Sequence, residues 1–313
     1  MKLRLILGSA ALAGAVAIVQ RGPAAQAPGA AQPQAPAQGQ GRGQGAAPPA
    51  QPQSAQQAAL FDLTGYWVSV VNQDWRVRMM TPPKGDYAYA PLNAAGRKVA
   101  DQFNPELYGG ATYQTSGIVD CRAYGAAGLM HMPTRLHITW DSPDVLKIET
   151  DWGEQTRLLH FTPGQPFGDV EQALRNGEVG GSHGPASMQG YSVAAWEQPY
   201  RRNASFFQRN TVGRGGGLGT ARAAEAQAGG NLAVVTTDLA PGWLRRNGVP
   251  YSSRTRLVER YMTFQDPTGK EWVNVTTEVI DPEYLNTPFL TTADFQKEPD
   301  GSKWAPHPCK NVQ

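Results

Sequence analysis

Cysteine is scarce in this chain: there are two in 313 residues, Cys121 and Cys309. Neither belongs to a Cys/His set with zinc-ligand spacing, so no structural metal site is expected. The N-terminal twenty residues hold none, which excludes a lipid-modified cysteine anchor there. Charge of one sign is lacking too. The formal net charge of +2 falls to 0 without Lys2 and Arg4, and a neutral domain with scattered charges is a poor candidate for nucleic acid. Walker loops and HExxH sequences are absent. Gly213–Gly219 is glycine-rich, yet no strand precedes it and no Lys-Ser/Thr follows, so a phosphate loop is not expected. The histidines at 131, 137, 160, 183 and 307 include no i, i+2 or i+4 pair. No metal and no cofactor is expected.

Long hydrophobic runs are also missing. Leu5–Val19 is apolar or small throughout, but a spanning helix needs roughly 20 such residues. With Lys2 and Arg4 ahead of it, residues 1–21 read as a signal peptide. Ala25-Gln26-Ala27 has the small-x-small cleavage pattern, but Pro28 obstructs it. An uncleaved N-terminal anchor is therefore the alternative, and the only membrane contact expected. Residues 22–59 are Ala, Gln, Gly and Pro apart from Arg42 and Ser54. They offer no large apolar side chain to offset backbone ordering entropy, so they are expected to form a disordered tether. The expectation is an exported protein, periplasmic or at the cell surface. In an oxidising compartment two lone cysteines most often pair, and a Cys121–Cys309 bridge would dock the C-terminal tail.

Residues 60–313 read as one β-rich domain. Gly65–Val71 is aromatic and β-branched, and Trp75–Met80 alternates up to Pro82-Pro83; both read as strands. Arg135–Phe161 gives a three-stranded meander, turning at Asp141–Asp144 and at Asp151–Glu154. Asn93 can cap one helix over Ala94–Phe103. Two glycine-rich stretches, Thr162–Gly190 and Val212–Gly230, read as long loops. Val234–Leu244 and Val273–Leu285 share a V-T-T-acid, P-x-aromatic-L pattern, as two strands with the same job would. The expected fold is all-β, an antiparallel lipocalin-like barrel or a two-sheet sandwich with one short helix. Gly65-x-Trp67 resembles the first strand of lipocalin-like barrels.

Several blocks in order resemble a family of exported bacterial β-rich proteins. They are Asp62–Trp67 (D-L-T-G-x-W), Pro91–Arg97 (P-L-N-x-x-G-R) and Gly190–Glu197 (G-Y-S-x-x-x-W-E), then Leu232–Thr236, Ser253–Arg260 and Asp281–Pro288. The chain departs from that pattern in a long insert between Glu197 and Leu232. The resemblance implies export and a β fold, and assigns no chemistry.

The meander carries the polar set of most interest. Leu136, Ile138 and Trp140 share one face with Leu146, Ile148 and Thr150 of the next strand. The other face holds His137 and Glu149, and Arg157 could join them there. Inside a barrel His137, Glu149 and Arg157 could perform acid–base chemistry; outside, they are a solvated wall. Trp140, Trp196, Glu197 and Trp243 are candidate ligand contacts; the charged residues of Trp196-Glu197 and Glu259-Arg260-Tyr261 are either buried ion pairs that tie strands together, the reading preferred, or cleft residues. Most of the eight tryptophans should be core. The function expected first is non-catalytic binding of a hydrophobic or amphipathic small molecule in a barrel cavity. The alternatives are a lipocalin-like-cavity isomerase, cyclase or hydrolase using His137 and Glu149, and a structural partner in an envelope assembly.

Overall fold

The computed structural model describes residues 53–161, 172, 183–197 and 230–312. The signal segment, residues 22–52 of the tether, most of the two glycine-rich loops and Gly213–Gly219 lie outside them. The strands begin with β1 (Gly65–Val70), β2 (Arg135–Ser142), β3 (Val145–Thr150), β4 (Trp152–Gly153) and β5 (Thr156–Phe161). Next come β6 (Tyr191–Glu197), β7 (Asn231–Thr237), β8 (Gly242–Arg245) and β9 (Val249–Tyr251). The last four are β10 (Arg256–Gln265), β11 (Glu271–Ile280), β12 (Phe289–Glu298) and β13 (His307–Pro308). Three short helices are α1 (Trp75–Arg78), α2 (Ala94–Ala100) and α3 (Ala126–Leu129).

Nine strands close into a barrel in the order β1-β12-β11-β10-β7-β6-β5-β3-β2. Direction cannot alternate fully around a ring of nine, so one pair must be parallel. It is β5–β6, joined over only three residue pairs, Leu159–Ser192 to Phe161–Ala194. The expected antiparallel pattern holds for the other pairs. The meander forms as expected, with His137 opposite Glu149 and Ile138 opposite Ile148. Its apolar face turns inward: Leu136, Ile138, Leu146 and Ile148 are buried alongside Trp67, Tyr261 and Phe295. The repeated V-T-T pattern also has a structural counterpart, because β7 and β11 flank β10 on its two sides.

One end of the barrel is capped. Tyr87, Ala90 and Leu92, with Ala126 of α3, Leu244 of β8 and Tyr251 of β9, pack on Leu257, Val279 and Phe289 at that rim. Cys121 and Cys309 are disulfide-bonded, with Cα atoms 4.9 Å apart. The tail docks as expected: Cys121 N–H donates to the Lys310 carbonyl at 2.9 Å, and β13 pairs with β4. Gly153 makes the close approach possible. Its φ is +82°, and a Cβ there would lie 2.5 Å from the Tyr124 ring.

Three expectations need correction. Trp75–Met80 is not a strand: it begins with the single turn α1, in which the consecutive residues Val77 and Arg78 are buried while Trp75 and Met79 stay exposed. Neighbours that bury together cannot belong to an alternating strand. The capped helix is real, with Gly96 N–H donating to Asn93 Oδ1 at 2.9 Å, but it ends at Ala100. The ordered domain also begins before residue 60. Ala55 is buried and its N–H donates to Asp144 Oδ1 at 2.7 Å, while Gln56 N–H donates to the Pro143 carbonyl. The partner is the β2–β3 turn, which composition alone does not reveal.

Candidate functional site at the barrel mouth

The barrel interior is filled by side chains, and its polar centre is an ion pair. Arg157 enters from β5 and Glu259 from β10, and neither side chain has any exposed surface. Arg157 Nη1 donates to Glu259 Oε1 at 3.0 Å, and Nη2 donates to Glu259 Oε2 and to Thr236 Oγ1 at 2.8 Å. Nε and Nη2 also reach Ser192 Oγ at 3.4 and 3.3 Å. Burial works against the guanidinium charge, but Glu259 more than compensates and holds Arg157 above its ordinary range. Burial likewise raises the Tyr261 phenol, which donates to Glu259 Oε1. This group ties strands together, one of the two roles expected for Glu259.

The expected trio of His137, Glu149 and Arg157 is thereby broken. Arg157 lies opposite Ile148 and so shares the inward face, whereas Glu149 lies opposite Thr156. His137 and Glu149 do meet, Nδ1 to Oε2 at 3.2 Å, but on the outer wall, with 28% and 32% of their side chains exposed. Lys147 engages the same carboxylate oxygen at 3.3 Å, and Tyr66 stacks on His137 at 4.2 Å. The enclosed cleft that acid–base chemistry would use is not where these residues stand.

The four candidate ligand contacts do not converge either. Trp140 and Trp196 lie at the uncapped end, each tilted against Phe161. Trp196 Nε1–H donates to the Ala55 carbonyl at 2.9 Å, so the 54–58 turn covers that part of the rim. Glu197 points outward and pairs with Arg260 Nε at 3.2 Å. Trp243 is at the capped end, against the stacked rings of Phe103 and Tyr108, with the Arg122 guanidinium 4.3 Å above its ring. Alternation separates Trp196 from Glu197, and the barrel's length separates Trp196 from Trp243. Nor are all tryptophans core: Trp75 is 58% exposed, on α1.

The uncapped end holds a concavity of about 300 Å³. Its walls are Trp67 of β1, Thr263, Phe264 and Gln265 of β10, Glu271 of β11 and Lys297 of β12, with Phe61 and Asp62 leading into β1. Phe61 packs edge-on against Trp196 at 5.2 Å. Lys297 Nζ sits 5.2 Å over the Trp67 ring and is bridged to Glu271 Oε2 at 2.7 Å. The Trp67 indole N–H is taken by the Leu63 carbonyl at 2.8 Å, which fixes the ring. The chain matches no protein-family model, no curated protein and no solved structure. The site's chemistry is therefore read from its own geometry: a fixed aromatic plane, an ammonium held over it, and flanking carboxylates. Sequence reasoning passed over Phe61, Glu271 and Lys297, because they lie far apart in the chain and meet only where closed strands end together. Among the described residues there is no cluster of three or more metal-ligating side chains, and no helix long and apolar enough to cross a membrane.

Proposed function

We propose that this is an exported, non-catalytic binding domain that holds a hydrophobic or amphipathic small molecule at the barrel mouth. The observation that carries the reading is the concavity in which Lys297 stands over Trp67 beside Phe61. Its wall combines three aromatic rings, Phe61, Trp67 and Phe264, with polar and charged side chains, a mixture suited to an amphipathic molecule, and about 300 Å³ is at the small end of the range of ligand sites. The apolar part of a ligand would lie against Phe61, Phe264 and Trp67, with its polar end toward Lys297, Glu271 or Asp62. The filled interior moves the expected site from a central cavity to the rim. The disulfide supports export, since such bonds persist in oxidising compartments, and so do the signal-like segment and, separately, the domain's resemblance to exported bacterial proteins. Mass spectrometry of molecules co-purifying with protein from its native envelope tests the reading. A ligand retained by the unaltered protein and lost from Lys297→Ala and Phe61→Ala, with the fold intact, is expected. Equal retention by these variants would refute the mouth as the site.

A second reading, assembly in an envelope complex, is favoured by a different surface. A groove of about 300 Å³ on the outer wall is lined by Val71, Trp75, Met79 and Trp152, and Trp75 and Met79 are 58% and 45% exposed. Apolar surface of this kind on a soluble domain often marks an interaction site. Crosslinking through position 75 in the native envelope would capture a partner on this reading and none on the first.

A further inference from the structure

We infer that the concavity beside Trp243 at the capped end is a second binding site, independent of the mouth, and that it takes a neutral sugar ring.

The site is built where three turns meet. The chain leaves α2 through Gln102, Phe103 and Asn104 and enters the single turn Pro105–Tyr108. There it meets Arg122 of the turn Cys121–Tyr124 and Trp243 of β8. These residues line a concavity of about 280 Å³. Its apolar lining is mainly aromatic: Phe103 and Tyr108 stack at 5.0 Å, and Trp243 packs against both. Gly248 permits the close approach, since its φ is +80° and a Cβ there would lie 2.9 Å from Phe103 Cβ. Leu107 also lines the concavity and stays 44% exposed, an apolar side chain that the fold leaves uncovered.

The polar lining is planar and already neutral. Arg122 carries the one charge in the wall, and the buried Asp120 balances it. Arg122 Nη2 donates to Asp120 Oδ2 at 2.7 Å, and Nε donates to both carboxylate oxygens at 3.1 Å. Nη2 also donates to the Val312 carbonyl at 3.1 Å, while Nη1 makes none of these bonds. The guanidinium is thus pinned, 4.3 Å over the Trp243 ring, with one donor group to spare. Asn104 Oδ1 accepts from Glu106 N–H at 3.1 Å, which leaves its NH2 group for a ligand. The Gln102 side chain is exposed and has no hydrogen-bond partner among the described residues.

This lining selects by chemistry. An anion would have to compete with Asp120 for Arg122. A purely apolar molecule would strip water from two amides and a guanidinium without replacing their hydrogen bonds. A pyranose meets both demands. Its ring C–H groups offer an apolar face to Trp243 and Leu107, and its hydroxyls donate to and accept from Gln102 and accept from Asn104 Nδ2 and Arg122 Nη1. The volume is near the lower bound for ligand pockets, which suits one ring rather than a long chain.

The test is saturation-transfer NMR on the full, disulfide-bonded chain. The probes are the methyl glycosides of glucose, galactose and mannose, and N-acetylglucosamine, with glycerol as the control polyol. At least one sugar should bind saturably, with transfer strongest to the C–H protons of one ring face, and glycerol should not bind. Asn104→Asp keeps the oxygen that caps the turn and removes the NH2 donor. Gln102→Ala/Asn104→Asp should therefore bind roughly tenfold more weakly, as the loss of two neutral hydrogen bonds implies. Gln102→Ala alone, a change at an exposed side chain, should weaken binding several-fold and decides the matter if the double variant folds poorly. Phe61→Ala alters only the mouth and should leave sugar binding unchanged. Failure of all four sugars to bind, or equal binding by the Gln102 variants, would overturn the assignment. Loss of sugar binding in Phe61→Ala would move the sugar to the mouth and overturn it too. Benzoate binding more tightly than every sugar, and weakened by the same Gln102 variants, would overturn the neutral-sugar class.

Discussion

Arg157 on β5 and Glu259 on β10 are joined by a buried bidentate ion pair that spans the two strands between them, β6 and β7. That span crosses the β5–β6 seam, the one parallel junction of the barrel and a short one. The pair therefore clamps the wall where backbone pairing is sparsest. Removing one partner leaves an uncompensated charge inside, and such losses run to about 3–5 kcal/mol. Arg157→Met and Glu259→Gln should each lower stability by about that amount in urea unfolding, while Arg157→Met/Glu259→Leu should cost much less than the sum. Additive losses would mean that the two charges do not act as a unit.

The pair on the outer wall should behave in the opposite way. His137 and Glu149 are partly solvated, and exposed ion pairs contribute about 0–1 kcal/mol. His137→Ala and Glu149→Gln are expected to change stability by less than about 1 kcal/mol and to leave ligand retention at the mouth unchanged. Loss of a cellular activity with the fold intact would instead bring the enzyme reading forward.

The disulfide closes a sequence separation of 188 residues. On the chain-entropy account such a loop stabilises by about 5 kcal/mol, and measured values commonly fall to 2–4. Non-reducing peptide mapping should recover Cys121 linked to Cys309. Reduction should release the tail, seen as faster amide exchange at His307 and Lys310, whose N–H groups donate to the carbonyls of Asp151 and Val119.

Acid should act through His131. Burial and the neighbouring Arg78 push its pKa down to about 4, against the pull of Asp74. The unfolded chain takes up this proton near the ordinary histidine value of about 6.5. Between those values the unfolded state binds more protons, so stability rises with pH and is lost as pH falls through the window. The difference between those two values corresponds to about 3 kcal/mol. Urea unfolding of His131→Gln between pH 4 and 7 should show a flatter slope than the unaltered protein; parallel slopes would exclude His131 as the source.

Gly153→Ala should be among the costlier small substitutions. The added methyl meets the Tyr124 ring at 2.5 Å, and φ +82° disfavours any side chain. A loss of about 1–3 kcal/mol is expected, measurable by thermal unfolding.

Legibility followed the range of each interaction. The meander could be read because alternation and two turns are local: Leu136, Ile138, Leu146 and Ile148 turned inward as their period required. The same locality placed His137 beside Glu149. It could not place Arg157, since the inward or outward choice on β5 depends on its pairing with β3, and Ile148 rather than Glu149 became its partner. Alternation misled at Trp75–Met80, where burial of Val77 and Arg78 under the cap outweighed a strand-like pattern.

By itself the sequence determined that Gly65–Val70 and the Arg135–Phe161 meander would be strands, which face of β2 and β3 was apolar, and that the two cysteines had only each other to pair with. These follow from side-chain period and from covalent bookkeeping, and they need no knowledge of neighbours distant in the chain. Tertiary structure alone decided that the interior would be filled, that Arg157 would find Glu259 across two intervening strands, and that Phe61, Trp67, Glu271 and Lys297 would share one rim. Those relationships arise when nine strands close into a ring. Closure brings together residues more than two hundred positions apart, and it sets which strand ends lie side by side.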